Sequence, residues 1–383
     1  NHLFDYNYTI QICEAVIENV GLGIQDIKRL EHVIISHLTL SLSKVGKFSE
    51  AKKIVTHHKM ENPENNEYNL CLSQICRDMG SNSDAFTHFL SMYENFATEL
   101  TPISTSSKEH SISVEYLHHS SPKFVEDGPL VSVIMTAYQA TELIETAINS
   151  ILNQSYRNFE LIVVDDASPD NTFQYIQKLA EIDSRIIPVS LEENGGTYVA
   201  KNHGLRRATG KYVAFHDSDD WCHCDKLKVQ VECLEDNQKI MGVSTSYIRV
   251  DENSNIIYRG KGAIRHACIS LMFRREIVLE RIGFFDSVRV SADSEYEMRL
   301  KAVFGDDAVE HIPLTLIVAS VRSESLSQGG KFALGWSGIS GPRLEYRQSF
   351  DDYHNKIRSG NENGYLEFPL KKRIFPAPEE IIW

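Results

Sequence analysis

Between residues 130 and 236 short apolar runs alternate with amphipathic ones, and this alternation constrains the fold more than any other feature. It predicts strands at Leu130–Thr136, Phe159–Asp165, Ile186–Ser190 and Tyr212–His216. It predicts helices at Thr141–Asn153, Asn171–Ile182, Tyr198–Ala208 and Asp225–Asp236. Strands that alternate with helices over short connections form a mostly parallel sheet covered by helices. We therefore predict a doubly wound α/β domain, continued by a strand at Met241–Val250 and a hairpin tip at 251–256.

Residues 9–98 show helical periodicity instead, without the alternation of a strand. Two short motifs recur 34 residues apart, with Gly46 matching Gly80 and Ala51 matching Ala85. A 34-residue period is that of a tetratricopeptide repeat, so two loose helix pairs of that type are expected, a plain helical cap being the alternative. Since two such pairs are too few to stand alone, this region is expected to pack on the α/β domain, to continue upstream of Asn1, to pair with another copy of itself or to bind a protein partner.

The remaining segments set the predicted domain limits. A polar stretch without period follows the helices, and three prolines (Pro369, Pro376 and Pro378) mark the end of the chain. We predict an all-α domain at 1–98, a linker at 99–127, the α/β domain at 128–350 and an extended tail at 351–383.

Charge and cysteine usage exclude several classes of protein. The formal charge is -14, from 39 Lys and Arg against 53 Asp and Glu, so binding of nucleic acid through bulk charge is disfavoured. No apolar run reaches the ~18 residues of a membrane helix, which favours a cytoplasmic protein, at most peripheral at the inner face of the membrane. The 7 cysteines fit reduced thiols, and Cys222-His223-Cys224 lacks the second ligand pair of a structural zinc site.

Acidic or polar residues directly follow three of the predicted strands, where ligands of doubly wound sheets bind. These groups are Thr136-Ala137-Tyr138, Asp165-Asp166 and Asp217-Ser218-Asp219-Asp220. Neighbouring carboxylates repel one another unless a cation or hydrogen-bond donors offset them. Asp217 and Asp219 are two residues apart and suit Mg²⁺ or Mn²⁺ with a diphosphate, although an acidic turn before the next helix is the alternative.

Four motifs occur in a fixed order along the chain, and together they are specific enough to indicate a family. They are Val-Ser-Val-Ile-Met-Thr-Ala-Tyr, Leu-Ile-Val-Val-Asp-Asp-Ala-Ser, Asn-Gly-Gly-Thr-Tyr-Val-Ala-Lys-Asn and Asp-Ser-Asp-Asp. Through them residues 130–325, about half of the chain, resemble family 2 glycosyltransferases, which have the Rossmann-like GT-A fold. The third and fourth motifs resemble in particular the first transferase domain of heparosan-type and other bacterial capsule polysaccharide synthases.

The resemblance implies an inverting transferase that uses a UDP-sugar donor, a glycan or glycolipid acceptor and Mn²⁺ or Mg²⁺. It implies a metal site at Asp219 and Asp217. It implies contacts with the nucleotide-sugar at Thr136, Ala137, Tyr138, Asp165, Asp166, Asn194, Lys201, Asn202, Asp217, Ser218 and Arg322. Lys201 replaces the Arg that is common in the family, so a bidentate hydrogen bond to the nucleotide-sugar is not expected there.

The resemblance also implies a catalytic base six residues before an Arg, which is Asp293 before Arg299. Ala292 stands where the family commonly has Glu, and Glu295 is the alternative base. Either acid also suits the first turn of a helix, where it favours the dipole. Trp221 and Trp336 are candidates for stacking on a sugar, with burial as the alternative for Trp221.

Two other functions remain as alternatives. One is an interaction protein in which the helices bind partners and the transferase-like domain is only a scaffold. The other is a different nucleotide-dependent transferase. A dehydrogenase is excluded, because the first strand is followed by Thr-Ala-Tyr-Gln-Ala-Thr and not by a glycine-rich loop.

Overall fold

The computed structural model describes residues 5–20, 25–94, 96, 100–102, 112, 114, 117–119, 123–322, 330–332 and 338–382. The chain divides into two units, one of Asn1–Ser121 with Ile248–Arg265 and one of Pro122–Tyr247 with His266–Trp383. The sequence predicted an uninterrupted α/β domain over 128–350. The structure instead groups its segment 248–265 with the helical residues.

The first unit contains the helices α1 (Tyr6–Val20), α2 (Gln25–Lys44), α3 (Phe48–Glu61), α4 (Asn66–Asp78) and α5 (Asn82–Leu90). In the predicted linker, β1 (Leu100–Pro102) and β2 (Leu117–His119) form a short antiparallel ladder. The 34-residue period has a structural counterpart. Gly46 and Gly80 both have φ +81°, and Ala51 and Ala85 are both fully buried. Assignment to the tetratricopeptide class stays a prediction.

Segment 248–265 is held within the first unit by hydrogen bonds from α4. The Gln74 side chain accepts from the N–H of Ile256 at 2.9 Å and donates to Asn255 Oδ1 at 3.2 Å. The Glu67 carboxylate accepts from the N–H of Ala263 at 3.2 Å and of Ile264 at 2.7 Å. The tip itself turns at 251–255, close to the predicted 251–256.

The second unit contains an eight-stranded mixed sheet and seven helices among its described residues. The strands are β3 (Val131–Ala137), β4 (Phe159–Asp165), β5 (Ile186–Ser190), β6 (Tyr212–Asp217), β7 (Trp221–Cys222), β8 (Gly242–Asp251, whose last residues belong to the first unit), β9 (Arg265–Arg274) and β10 (Val309–Val321). The helices are α6 (Ile144–Leu152), α7 (Thr172–Ile182), α8 (Thr197–Arg207), α9 (Lys226–Asp236), α10 (Arg275–Ile282), α11 (Ala292–Phe304) and α12 (Pro342–Arg358).

The strand order is β5-β4-β3-β6-β9-β8-β10-β7. β5, β4, β3 and β6 are parallel, whereas β9 runs antiparallel to β6. β3 is buried along its whole length. Parallel strands are buried in this way when helices cover both faces of the sheet. The predicted fold class is confirmed: a GT-A-like α/β domain with a mixed, mostly parallel sheet follows an all-helical region.

Strand register brings the predicted polar groups to one edge of the sheet. Ala137 lies opposite Asp165, and Thr136 lies opposite Asp217. The carboxyl ends of β3, β4 and β6 therefore meet, which is where a ligand binds in this class of sheet.

Helix α12 crosses the C-terminal limit predicted at residue 350, because it continues to Arg358. Its buried residues recur with helical spacing at Tyr346, Phe350, Tyr353 and Ile357, and so the helix passes through the predicted limit. The chain after it is irregular but anchored, since Leu366 and Ile381 are buried. Among the helices of the described residues, none is long and apolar enough to span a bilayer.

Candidate functional site

The end of β3 supplies Thr136, Ala137 and Tyr138. Thr136 Oγ1 lies 2.9 Å from Oγ1 of Thr197, the first residue of α8. Tyr138 is exposed, and Gln139 has a left-handed backbone with φ +49°. A non-glycine residue with positive φ is strained, and such strain concentrates at functional sites.

The end of β4 supplies Asp165 and Asp166, whose surroundings differ. Asp166 accepts from the N–H of Gly195 at 2.9 Å and of Gly196 at 2.7 Å, and Asn194 Nδ2 donates to its carbonyl at 3.0 Å. Burial raises the pKa of the Asp166 carboxyl, although the two glycine N–H groups oppose this. Asp166 therefore fixes the loop before α8. Asp165 is buried, and its Oδ2 accepts from the N–H of Ser168 at 3.2 Å.

The end of β6 supplies the acidic pair Asp217 and Asp219, and each carboxylate lies near a basic side chain. Lys201 Nζ is 3.2 Å from Asp217 Oδ1, and Arg322 Nη2 is 3.7 Å from Asp219 Oδ2. Both carboxylates are 32% exposed. They are thus accessible oxygen donors in a place where positive charge is already favoured.

A path of contacts on α8 joins Asp217 to Asp293. Lys201 Nζ lies 5.6 Å from the ring centroid of Tyr198, one helical turn earlier. The Tyr198 hydroxyl donates to Asp293 Oδ1 at 3.0 Å. Burial, and then the Asp293 carboxylate, raise the pKa of Tyr198 well above its ordinary value, so the hydroxyl stays protonated and donates. The acidic pair and the predicted base therefore share one supporting helix.

Asn202 is engaged differently from the contact expected of it. It is fully buried, and its side chain both donates to the carbonyl of Phe285 and accepts from the N–H of Phe285, each at 2.9 Å. A buried amide with both ends hydrogen-bonded fixes backbone position. The structure thus assigns Asn202 the task of tying α8 to the chain before α11.

Glu295, the alternative base, lies in a buried ion cluster. Its side chain is 0% exposed and bonds Arg299 at 2.8 and 3.1 Å and His354 Nε2 at 3.1 Å. Burial opposes ionisation, but Arg299 and His354 prevail and lower the pKa of the Glu295 carboxyl. Asp293 is instead partly exposed. Exposure therefore distinguishes the two acids, and the choice of Asp293 as the base remains a prediction.

The structure describes two of the other predicted residues, Trp221 and Ser218. Trp221 is buried at 2% exposure, so its ring packs inside the protein and is not open for stacking on a sugar. Ser218 lies partly exposed between the two aspartates. Trp336 lies outside the described residues, as do residues 323–329, which follow Arg322.

The sequence did not single out Tyr198 or Gln139. Tyr198 stands three residues before Lys201 in the motif Asn-Gly-Gly-Thr-Tyr-Val-Ala-Lys-Asn, and this helical spacing was the available signal. Nothing in the local sequence marks the left-handed Gln139. As a whole, the site offers oxygen ligands for a cation, two basic side chains for an anion and a carboxylate able to accept a proton.

Comparison with known proteins shows a similarity over the part of the chain that carries this site. Residues 132–292 match the family described as Glycosyl transferase family 2. TuaG of Bacillus subtilis, provisionally described as a teichuronic acid biosynthesis glycosyltransferase, is 51% identical over 28% of this chain and 42% of its own. The UDP-Glc:alpha-D-GlcNAc-diphosphoundecaprenol beta-1,3-glucosyltransferase WfaP of Escherichia coli is 38% identical over 32% of this chain and 48% of its own.

Solved structures are also similar. The crystal structure of S. aureus TarS 1-349 in complex with UDP is 21% identical, with a TM-score of 0.43 over 50% of this chain and 60% of that chain. The chain spans less than half the length of the two curated relatives. Residues 132–292 are the part of the chain that is similar to Glycosyl transferase family 2.

Proposed function

We propose that this protein transfers a sugar from a UDP-sugar to a hydroxyl of a glycan or glycolipid acceptor, with inversion at the anomeric carbon. The observation that carries the proposal is the path from Asp217 through Lys201 and Tyr198 to Asp293, in a chain whose residues 132–292 are similar to Glycosyl transferase family 2. It connects a place for the donor's diphosphate with a carboxylate able to activate an acceptor.

The donor's nucleotide is proposed to lie along the ends of β3 and β4. Thr136, Ala137, Tyr138 and Asp165 line this edge, and a carboxylate there accepts from uracil N3–H or from ribose hydroxyls. Asp166 acts on this edge indirectly, by holding the loop Asn194–Gly196 in place. Ser218 is proposed to border the diphosphate between the two aspartates.

Asp219, with Asp217, would hold Mn²⁺ or Mg²⁺. Both are hard oxygen donors of the kind that these cations prefer, and both are partly exposed beside basic side chains. When bound, the cation stabilises the negative charge of the departing diphosphate. Lys201 and Arg322 contribute positive charge at the same place and are proposed to bind the diphosphate as the ion pairs with the aspartates exchange.

Asp293 is the proposed general base. Its carboxylate takes the proton of the acceptor hydroxyl while the hydroxyl oxygen attacks the anomeric carbon and the bond to UDP breaks. One displacement inverts the configuration and needs no carboxylate nucleophile. The Tyr198 hydroxyl orients Asp293 through the bond to Oδ1.

The biological setting is proposed from the relatives. WfaP is named for transfer to a diphosphoundecaprenol-linked sugar, and TuaG for teichuronic acid biosynthesis. We therefore propose bacterial surface polysaccharide synthesis on a lipid-linked acceptor at the inner face of the membrane. The narrower likeness to heparosan-type capsule synthases belongs to the same proposal, and so does self-association or partner binding through the helical unit.

The test is transfer and hydrolysis with a panel of UDP-sugars and one GDP-sugar, in Mn²⁺ and in EDTA. Consumption of one UDP-sugar that stops in EDTA and returns with Mn²⁺, with an inverted anomeric signal by NMR, supports the proposal. Full activity in EDTA contradicts the metal site, and a retained configuration contradicts the single displacement. A folded protein that binds UDP but turns over no donor favours the alternative of an interaction protein.

A further inference from the structure

A second group of metal-ligating side chains lies in the second unit, outside the proposed donor site. The ligand atoms of His266, Cys268 and Glu297 all lie within 4.8 Å of one another. None of the three belongs to the strand-end residues that are proposed to hold UDP.

Two elements bring these groups together. His266 and Cys268 are two residues apart on β9, so they project from the same face of the strand. Glu297 extends from α11 with a side chain that is only 4% exposed. Its Oε2 lies 2.8 Å from His266 Nε2, and the Ser294 hydroxyl contacts Cys268 Sγ at 3.6 Å.

A second imidazole, that of His311 on β10, lies beside them. The ring centroid of His311 is 4.7 Å from that of His266. Ser244 Oγ lies 3.4 Å from His311 Nδ1, and Ser246 Oγ lies 3.2 Å from His311 Nε2. When an ion binds, one hydroxyl would release its ring nitrogen to the ion while the other would continue to orient the imidazole.

The charges of this group are suited to a cation. The Cys268 sulfur lies within 4.8 Å of a carboxylate oxygen of Glu297. A dication that displaces the thiol proton would bind a thiolate and a carboxylate and so meet two negative charges. The hydrogen bond between His266 and Glu297 would give way to two ligand bonds.

We propose that His266, Cys268, Glu297 and His311 form a binding site for Zn²⁺. Two imidazoles, one thiolate and one carboxylate are the ligand types of four-coordinate zinc, whereas Mg²⁺ and Mn²⁺ favour oxygen. The bound ion ties β9 and β10 to α11 beside Ser294, the neighbour of the proposed base. This site is distinct from the oxygen-rich pair Asp217 and Asp219.

The test uses the full chain, reduced and stripped of metal, titrated with Co²⁺ as a spectroscopic substitute for Zn²⁺. We expect tetrahedral cobalt bands with a thiolate charge-transfer band, all removed by Zn²⁺ and unaffected by Mg²⁺. C268S should lose the charge-transfer band, whereas C233S, at another partly exposed cysteine, should keep it. H266Q should weaken Co²⁺ binding by about tenfold or more. H311Q should do the same.

The outcomes decide the proposal without reference to activity. No thiolate band in the wild-type protein with a native circular dichroism spectrum overturns it, as does a band that persists in C268S. If C268S does not fold, H266Q decides, because His266 is exposed and its replacement should leave the fold intact. Unchanged Co²⁺ affinity in H266Q then overturns the site. Loss of the bands in D217N would place the ion at the donor site and also overturn it.

Discussion

Asp293 and Glu295 are two residues apart on α11, yet their surroundings predict opposite effects of mutation. Asp293 is partly exposed and accepts a hydrogen bond from the Tyr198 hydroxyl at 3.0 Å. Asp293→Asn keeps the shape but cannot take a proton, so turnover with the acceptor should fall by about two to four orders of magnitude. The affinity for UDP-sugar should barely change. Steady-state kinetics with calorimetric donor binding measures both, and near-normal turnover would contradict the assignment of the base.

Glu295→Gln should act on stability. The exchange leaves the buried Arg299 guanidinium without its counter-charge, and breaking a buried pair from one side costs about 3–5 kcal/mol. Thermal and urea unfolding of Glu295→Gln against the wild type measures this loss. The control is Glu280→Gln at an exposed position of α10, which leaves the Arg299 pair intact. A stable but inactive Glu295→Gln would shift the role of base to Glu295.

The proposed metal ligands can be tested through UDP binding. Asp219→Ala removes a predicted ligand, so UDP should bind much more weakly in Mn²⁺ while its weak binding in EDTA stays the same. Calorimetry of UDP binding in both conditions separates the two effects. Asp236→Ala at the exposed end of α9 is the control and should change neither. An equal loss in EDTA would mean that Asp219 serves the fold or the nucleotide and not the cation.

Helix α4 carries a carboxylate whose ionisation opposes its own packing. Burial raises the pKa of Glu67 from 4.5 to about 7, although the N–H groups of Ile264 and Ala263 oppose this. The folded state therefore binds more protons than the unfolded state between these values. Stability from this group is full below pH 4.5 and falls as the pH rises through about 7, by at most about 1.4 kcal/mol per pH unit.

Glu67→Gln should remove this dependence. Hydrogen exchange at the amides of Ala263 and Ile264, followed from pH 5 to 8 after correction for intrinsic rates, should show protection that declines in the wild type. It should stay level in Glu67→Gln. Glu64→Gln, exposed just before α4, is the control and should behave as the wild type. A level profile in the wild type would contradict the raised pKa.

The elements that the sequence predicted are those whose pattern is local. The bounds of β4 and β5 agree with the prediction at both ends, because each strand is an apolar run between turn residues. β9 and α10 were not predicted. The strand Arg265–Arg274 packs inside the sheet, so its apolar residues do not alternate with polar ones, and α10 follows without a break.

The sequence could predict which strand ends meet at the candidate site, because this depends only on the register of parallel strands. Polar groups after parallel strands had to meet, and they do. The tasks of Asn202 and Glu295 were not predictable, because their partners are distant in sequence. Asn202 bonds Phe285, 83 residues away, and Glu295 bonds His354, 59 residues away. A motif shows which residue types stand close together in the sequence. It does not show which distant groups they bond.

At the scale of the whole molecule, the division into units follows contacts and not chain order. Segment 248–265 is in the middle of the α/β sequence but bonds Glu67 and Gln74 of the helical unit. Helix α4 thus binds a segment that is distant from it in the sequence. These bonds lie within the first unit, and the expected packing of the helix pairs on the α/β domain or on another copy stays a prediction.

Deletion of residues 1–98 tests this division. The deletion removes the partners of 248–265 and exposes apolar surface, so the truncated protein should be less soluble. A second deletion that also replaces 252–264 with a short Gly-Ser turn should regain solubility. Both proteins should bind UDP in Mn²⁺ as the full chain does, because the proposed nucleotide residues all lie in Pro122–Tyr247 and His266–Trp383. Acceptor transfer should fall in both if the helical unit presents the acceptor. Loss of UDP affinity in the folded second deletion, measured by calorimetry, would show that the nucleotide site needs the helical unit.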